Sequence, residues 1–188
     1  ENSELLDLVS DDPAYRQRSI NNMQRVVDAT HQIAVFFPEA DSLLIVANIG
    51  GFSADSPLPV ALRSELYHRF SASCAQINFG RSELIPQNMA PFPWHFGGQR
   101  HQNIFMMPDE LVAQAKAMKL RLCLDLSHLQ MTCSHFGLDF QQALSDLLPH
   151  SAHLHVADAK GTNGEGVVMG TGDVDWIATW KQIVKYPN

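Results

Sequence analysis

The sequence predicts an α/β fold built on a parallel sheet. Three observations carry this. The short apolar runs at residues 43–47 and 120–126 have the length of strands buried on both faces. Segments of helical period lie between and beside them, so strands and helices alternate. Two strand segments end on an Asp/His pair, Asp125-Leu-Ser-His128 and His155-Val-Ala-Asp158. Charged and imidazole groups at the carboxyl ends of parallel strands are where such folds place their sites.

The elements run in order along the chain. Residues 13–37 predict one long helix, with Ile20, Met23, Val26, Val27, Ile33 and Ala34 near helical spacing and Asp12-Pro13 as N-cap and first-turn pair. Residues 43–47 predict a fully buried strand closed by the turn Asn48-Ile-Gly-Gly51. A helix over 60–74 and a weaker strand over 83–88 come next, the latter with Pro86 near its end. Residues 89–100 form a loop rich in Pro, aromatics and Gly. Pro108 followed by Asp109 and Glu110 opens a helix to Met118. A strand over 120–126, a helix over 138–148 and a strand over 152–157 come after it. A glycine-rich loop over 158–173 leads to a last helix over 174–185.

Composition removes some function classes. A formal charge of −7, from 13 basic and 20 acidic residues, argues against a phosphate-backbone surface and so against nucleic acid as partner. No run of about 18 apolar residues marks a membrane span, and the amino end lacks signal-peptide regions. Cys74, Cys123 and Cys133 are odd in number without CxxC spacing, which predicts reduced thiols in a cytoplasmic protein. Cys123, inside an apolar run, predicts a small core residue.

The order Gln87-Asn-Met, Asp125-x-x-His128, His155-x-x-Asp158 and Met169-Gly-Thr-Gly-Asp-Val-Asp175 resembles the xylose-isomerase-like TIM barrels. These include sugar-phosphate isomerases and epimerases and the apurinic endonuclease family 2 fold. The resemblance covers roughly residues 43–180. It implies a (β/α)8 barrel present in part, about strands three to seven, in one domain over 1–188. A whole barrel typically needs about 250 residues, so the chain is expected to be a segment of a longer protein. The stretch Pro91-Phe-Pro-Trp-His-Phe-Gly-Gly98 is similar to a subgroup found beside sialic-acid-synthase-like domains.

The resemblance assigns roles by position. Asp125, His128 and His155 fall at metal-ligand positions, and carboxylate with imidazole suits divalent Mn, Zn or Co, with Mg also possible at carboxylates. Asp158 would orient a ligand or contact substrate, or else cap the glycine-rich loop. For Asp125 and His128 the plainer alternative is a turn cap and a solvated loop residue. His153 is expected in the core, hydrogen-bonded to a neighbour. Gln87 is the candidate catalytic position at which the family carries its metal-ligating Glu. An amide cannot take a proton as a general base and lacks the charge that holds a divalent ion. Trp94, His95, Arg100 and the loop residue Glu165 are the candidates for substrate contact, with Phe92 and Phe96 beside them.

The expected activity is metal-dependent isomerisation or epimerisation of a sugar or sugar phosphate, through an enediolate and proton transfer. The alternative is a non-catalytic carbohydrate-binding or scaffold domain fused to a sugar-biosynthetic enzyme. Cleavage at abasic DNA sites is a third reading, opposed by the net charge. The expected partners are a small sugar ligand and either a second copy or a covalently linked domain that completes the barrel, because open sheet edges invite pairing.

Overall fold

The structure, a computed structural model, describes residues 5–40, 42–95 and 97–186. Four parallel strands form its frame: β1 (Leu43–Ala47), β2 (Ser82–Pro86), β3 (Leu122–Asp125) and β4 (Ser151–His155). β1 pairs with β2, and β3 with β4, both in parallel. A bridge between Gln87 and Cys123 joins the two pairs, giving the order β1-β2-β3-β4. The helices α1 (Pro13–Ala34), α2 (Arg63–Cys74), α3 (Pro108–Met118), α4 (Leu126–Phe136), α5 (Phe140–Leu147) and α6 (Trp176–Ile183) lie before, between and after them. Sequential parallel strands with helical crossovers are the repeating unit of a (β/α) barrel, here an open arc of one.

The sheet has two unlike faces. On the helix side, Ile45, Leu84, Leu122 and Leu124 join Val27 of α1, Phe70 of α2, Leu111 of α3, Leu129 of α4 and Leu144 of α5 in one apolar core. Parallel register puts Val46 beside Ile85, Gln87 beside Cys123, Cys123 beside His153 and Asp125 beside His155 on the opposite face. That face is the inner wall of the arc. Its first strand is not fully buried as expected: Leu44 and Val46 are each 36% exposed. At its amino-terminal end, Arg121 forks onto the Glu83 carboxylate.

Several predicted boundaries move. The strand ends at Asp125, and Leu126 opens a helix that the pattern did not predict. Asp125 is its N-cap, accepting from the His128 N–H at 3.0 Å, and Gly137 ends it in the left-handed conformation at φ 65°. The predicted helix over 138–148 shrinks to α5, which Asp139 caps through the Gln142 N–H. The helix expected over 60–74 begins with a 3-10 turn, Val60–Leu62. The glycine-rich loop contains an antiparallel hairpin of Asp158–Lys160 with Gly164–Val167, and the aromatic loop contains a short ladder of Trp94–His95 with Gly98–Gln99. All three cysteines are free thiols. Among the described residues no helix is long and apolar enough to cross a membrane.

Candidate active site

Register builds the site. β2 runs out at Pro86, so Gln87 sits one step past the strand with its amide aimed across to β3. Gln87 Nε2 donates to Asp125 Oδ2 at 3.0 Å. His155, opposite Asp125 on β4, brings Nδ1 to 3.5 Å from the same oxygen. Two of the predicted site residues therefore converge on one carboxylate oxygen of a third. Asp125's other oxygen caps α4, so helix formation and site formation fix the same side chain.

Asn88, which the sequence pattern did not single out, locks this arrangement. It is buried, and it bonds Asp125 in both directions: Asn88 Nδ2 donates to the Asp125 carbonyl at 3.0 Å, and the Asp125 N–H donates to Asn88 Oδ1 at 2.6 Å. Its own carbonyl lies 2.8 Å from His128 Nδ1. The one signal available for Asn88 was its place directly after Gln87.

His128 is not the solvated loop residue of the plainer alternative, nor do its contacts match those of a metal ligand. It is 5% exposed. Nδ1 faces the Asn88 carbonyl and Nε2 lies 3.1 Å from Glu165 Oε1. The Gln87 amide nitrogen also lies 3.3 Å from Nδ1, so neighbouring groups already engage both ring nitrogens. Burial pushes the imidazole pKa down, but the Glu165 contact, the Asp125 charge and the Asn88 carbonyl outweigh it and raise it. The His128 contact in turn holds the Glu165 carboxyl below its ordinary range against some burial.

The other members of the second Asp/His pair separate. His155 reaches the cluster. Asp158 is fully buried and spends its carboxylate on the loop after it, accepting from the N–H groups of Ala159, Gly170, Gly172 and Val174 and from Trp176 Nε1. Burial would raise its pKa, but the Trp176 indole and the Gly172, Gly170 and Val174 N–H groups hold it below the usual carboxylate range. None of these bonds goes to Gln87, Asp125, His128 or His155, so the structure gives Asp158 the loop-capping role. Gly172 is required there: a Cβ would come within 2.2 Å of Asp158 Oδ1.

His153, expected in the core, is exposed on the inner face, with its ring 5.2 Å from that of His155. Trp94 is 70% exposed. His95 packs against Phe52 at 4.7 Å, and burial followed by the Arg100 charge lowers its pKa. Arg100 is fixed by its backbone, whose N–H donates to the Pro93 carbonyl at 3.0 Å. These three lie on or just after one hairpin and make no hydrogen bond to the cluster. Phe96 lies outside the described residues. A cavity of about 800 Å³ between α3 and α5 is lined by Met107, Val112, Asp139 and their neighbours and includes no candidate site residue.

A resident divalent ion would need about four donors at roughly 2 Å. Gln87 presents its N–H groups to Asp125, and both His128 ring nitrogens are engaged by neighbouring groups, which leaves the Asp125 and His155 side chains. Among the described residues no group of three or more His, Cys, Asp or Glu is arranged to hold a metal. The donor set does not fit a metal held by these residues alone.

An open arc of parallel β/α units with polar side chains gathered at the strand ends defines a protein of the TIM-barrel class. The family model for the xylose isomerase-like TIM barrel matches residues 2–186, and the chain belongs to that family. Among solved structures, it resembles a D-tagatose 3-epimerase-like protein at 15% identity and TM-score 0.66, over 98% of this chain and 64% of that one. An L-ribulose 3-epimerase gives 12% identity and TM-score 0.66, over 96% and 55%. The D-allulose 3-epimerase from Methylomonas sp., solved with D-allulose, gives 14% and 0.63, over 98% and 57%. The chain thus spans roughly three fifths of these proteins, and at such identities the likeness establishes the fold. No curated protein matches the chain significantly.

Proposed function

We propose that the chain is a sugar isomerase- or epimerase-like domain whose strand-end face takes a small sugar or sugar derivative. The observation that carries the reading is the convergence of Gln87 and His155 on Asp125 Oδ2, at 3.0 and 3.5 Å. Such a cluster offers a hydroxyl-rich ligand both acceptors and donors. Asp125 accepts, the Gln87 amide and His155 donate or accept according to orientation, and the exposed Trp94 supplies an apolar face against which sugar C–H groups pack. The sugar epimerases among the structural relatives point to the same ligand class.

In the turnover form of this reading, a proton leaves the carbon beside a carbonyl, an enediolate forms, and a proton returns to the other face or the neighbouring carbon. That step needs a base, and Gln87 is not one. Gln87 therefore favours a second form, in which the domain binds the sugar without turning it over. The metal of the turnover form belongs to this proposal only if a further part of the protein supplies the missing donors. The exposed Leu44 and Val46 and the exposed Ile177 and Trp180 of α6 mark where such a part, or a second copy, would pack.

Calorimetric titration with D-allulose and D-tagatose, with and without Mn²⁺, is the test, paired with exchange of the sugar's C3 proton in D₂O. Binding with exchange supports the epimerase form. Binding without exchange supports the carbohydrate-binding form. Absence of binding with either sugar, with or without metal, overturns the proposal.

A further inference from the structure

Glu165 reaches the site from a hairpin, 37 residues along the chain from its partner His128. The hairpin is shaped for that contact. Its register shifts between Glu165 and Val167, and the shift falls at Gly166, whose φ of 63° favours glycine. The kink delivers two groups together onto the first turn of α4. Glu165 Oε1 meets His128 Nε2, and the Gly166 N–H donates to Ser127 Oγ, both at 3.1 Å. The base of the hairpin is anchored by the buried Asp158 carboxylate. Near its tip, Asn163 Oδ1 accepts from Gln99 Nε2 of the Trp94 hairpin at 3.0 Å. The two hairpins are thus tied to each other, and one of them is tied to α4.

The His128 ring is held at both ends. The loop after β2 holds Nδ1 through the Asn88 carbonyl, and the hairpin holds Nε2 through Glu165. The Glu165 side chain is half exposed while that of His128 is only 7% exposed, so the carboxylate stands on the solvent side of the ring.

We propose that Glu165 is the positioning residue of this site: by docking its hairpin on α4 it fixes the His128 ring and sets the two tied hairpins as a cover over the strand ends. The proposal rests on the sugar-binding reading for the identity of what is covered, but not for the docking itself.

The test uses the full chain labelled with ¹⁵N. It follows the two His128 ring nitrogens and the exchange rate of the Gly166 amide in wild type, Glu165→Ala, Glu165→Gln and Ser127→Ala. In Glu165→Ala the Nε2 signal moves, and Gly166 exchange rises about tenfold, as loss of one partly exposed charge-assisted bond predicts. The amides of Gly170 and Gly172, held by Asp158, keep their wild-type rates. Glu165→Gln retains most of the docking, with a smaller rise. Ser127→Ala raises Gly166 exchange but leaves the Nε2 signal in place. D-allulose, where wild type binds it, binds about tenfold more weakly to Glu165→Ala. Wild-type His128 signals and wild-type Gly166 exchange in Glu165→Ala overturn the proposal. If those NMR changes appear while wild type binds no sugar, the docking stands and the sugar reading falls.

Discussion

Asp125 ends β3 and Asp158 lies three residues past the end of β4, each with a His three residues away, yet they do opposite things. Asp125 spends one oxygen on its helix cap and turns the other to Gln87 and His155. Asp158 spends both oxygens on five donors of its own loop and offers nothing outward. The difference lies in the segment that each residue opens. After Asp125 a helix starts at once, and a helix N-terminus presents only a few N–H groups to its cap. After Asp158 the chain doubles back at Gly170, Gly172 and Val174, surrounding the carboxylate with N–H groups. Position at a strand end therefore makes a carboxylate available for chemistry only when the next segment leaves it unsatisfied.

Removing the clamp should have the largest effect. Asp158→Ala removes the shared acceptor of four backbone N–H groups and an indole and should cost about 3 kcal/mol, with a fall in Tm of roughly 6–12 °C. Gly172→Ala keeps the charge but drives a methyl into Asp158 and should cost about 1–3 kcal/mol. Thermal melts of both decide it; a change under about 0.5 kcal/mol in Asp158→Ala would erase the contrast between the two carboxylates. The clamp also sets a pH signature. The Asp158 pKa is depressed on folding, so its contribution is complete above the unfolded value of 3.8 and is lost as pH falls through the lower folded value. Urea midpoints of wild type should therefore drop below about pH 4, and Asp158→Asn should lack that part of the acid slope.

At Asp125 the effect should divide in two. Asp125→Ala loses the cap and should cost about 1 kcal/mol, whereas Asp125→Asn caps comparably and should stay within about 0.5 kcal/mol. Both should lose D-allulose affinity, since both remove the charge on which Gln87 and His155 converge. Equal stability loss in the two variants would show that the charge, and not the cap, holds α4.

Much of this could be read from the chain, for reasons that differ by residue. The apolar runs and the Asp12 and Pro108 signals placed most strands and helices because each is local. The order of Gln87, Asp125 and His155 placed three side chains because parallel register converts sequence order into neighbours across the sheet. Helix α4 was hidden because residues Leu126 to Cys133 are all buried, which removes the amphipathic period that marks a helix. The pairing of Glu165 with His128 was hidden because it depends on a bulge at Gly166, and the Asp158 clamp because its donors are mainly backbone groups that any sequence carries.

The smallest expected effect concerns His153, which shares a strand face with His155 but not its role. His155 faces the Asp125 carboxylate, whereas His153 lies opposite the thiol Cys123 and is exposed to water on the inner wall of the arc. An exposed imidazole with no hydrogen bond to another of the described residues should be replaceable, so His153→Ala should change stability by under about 0.5 kcal/mol. His155→Ala should be equally mild in stability but should weaken D-allulose binding. A loss above about 1 kcal/mol for His153→Ala would mean that the inner wall is covered in solution, by a second copy or by a further part of the protein. Repeating the measurement across protein concentrations separates these, because only a loss that fades on dilution comes from a second copy.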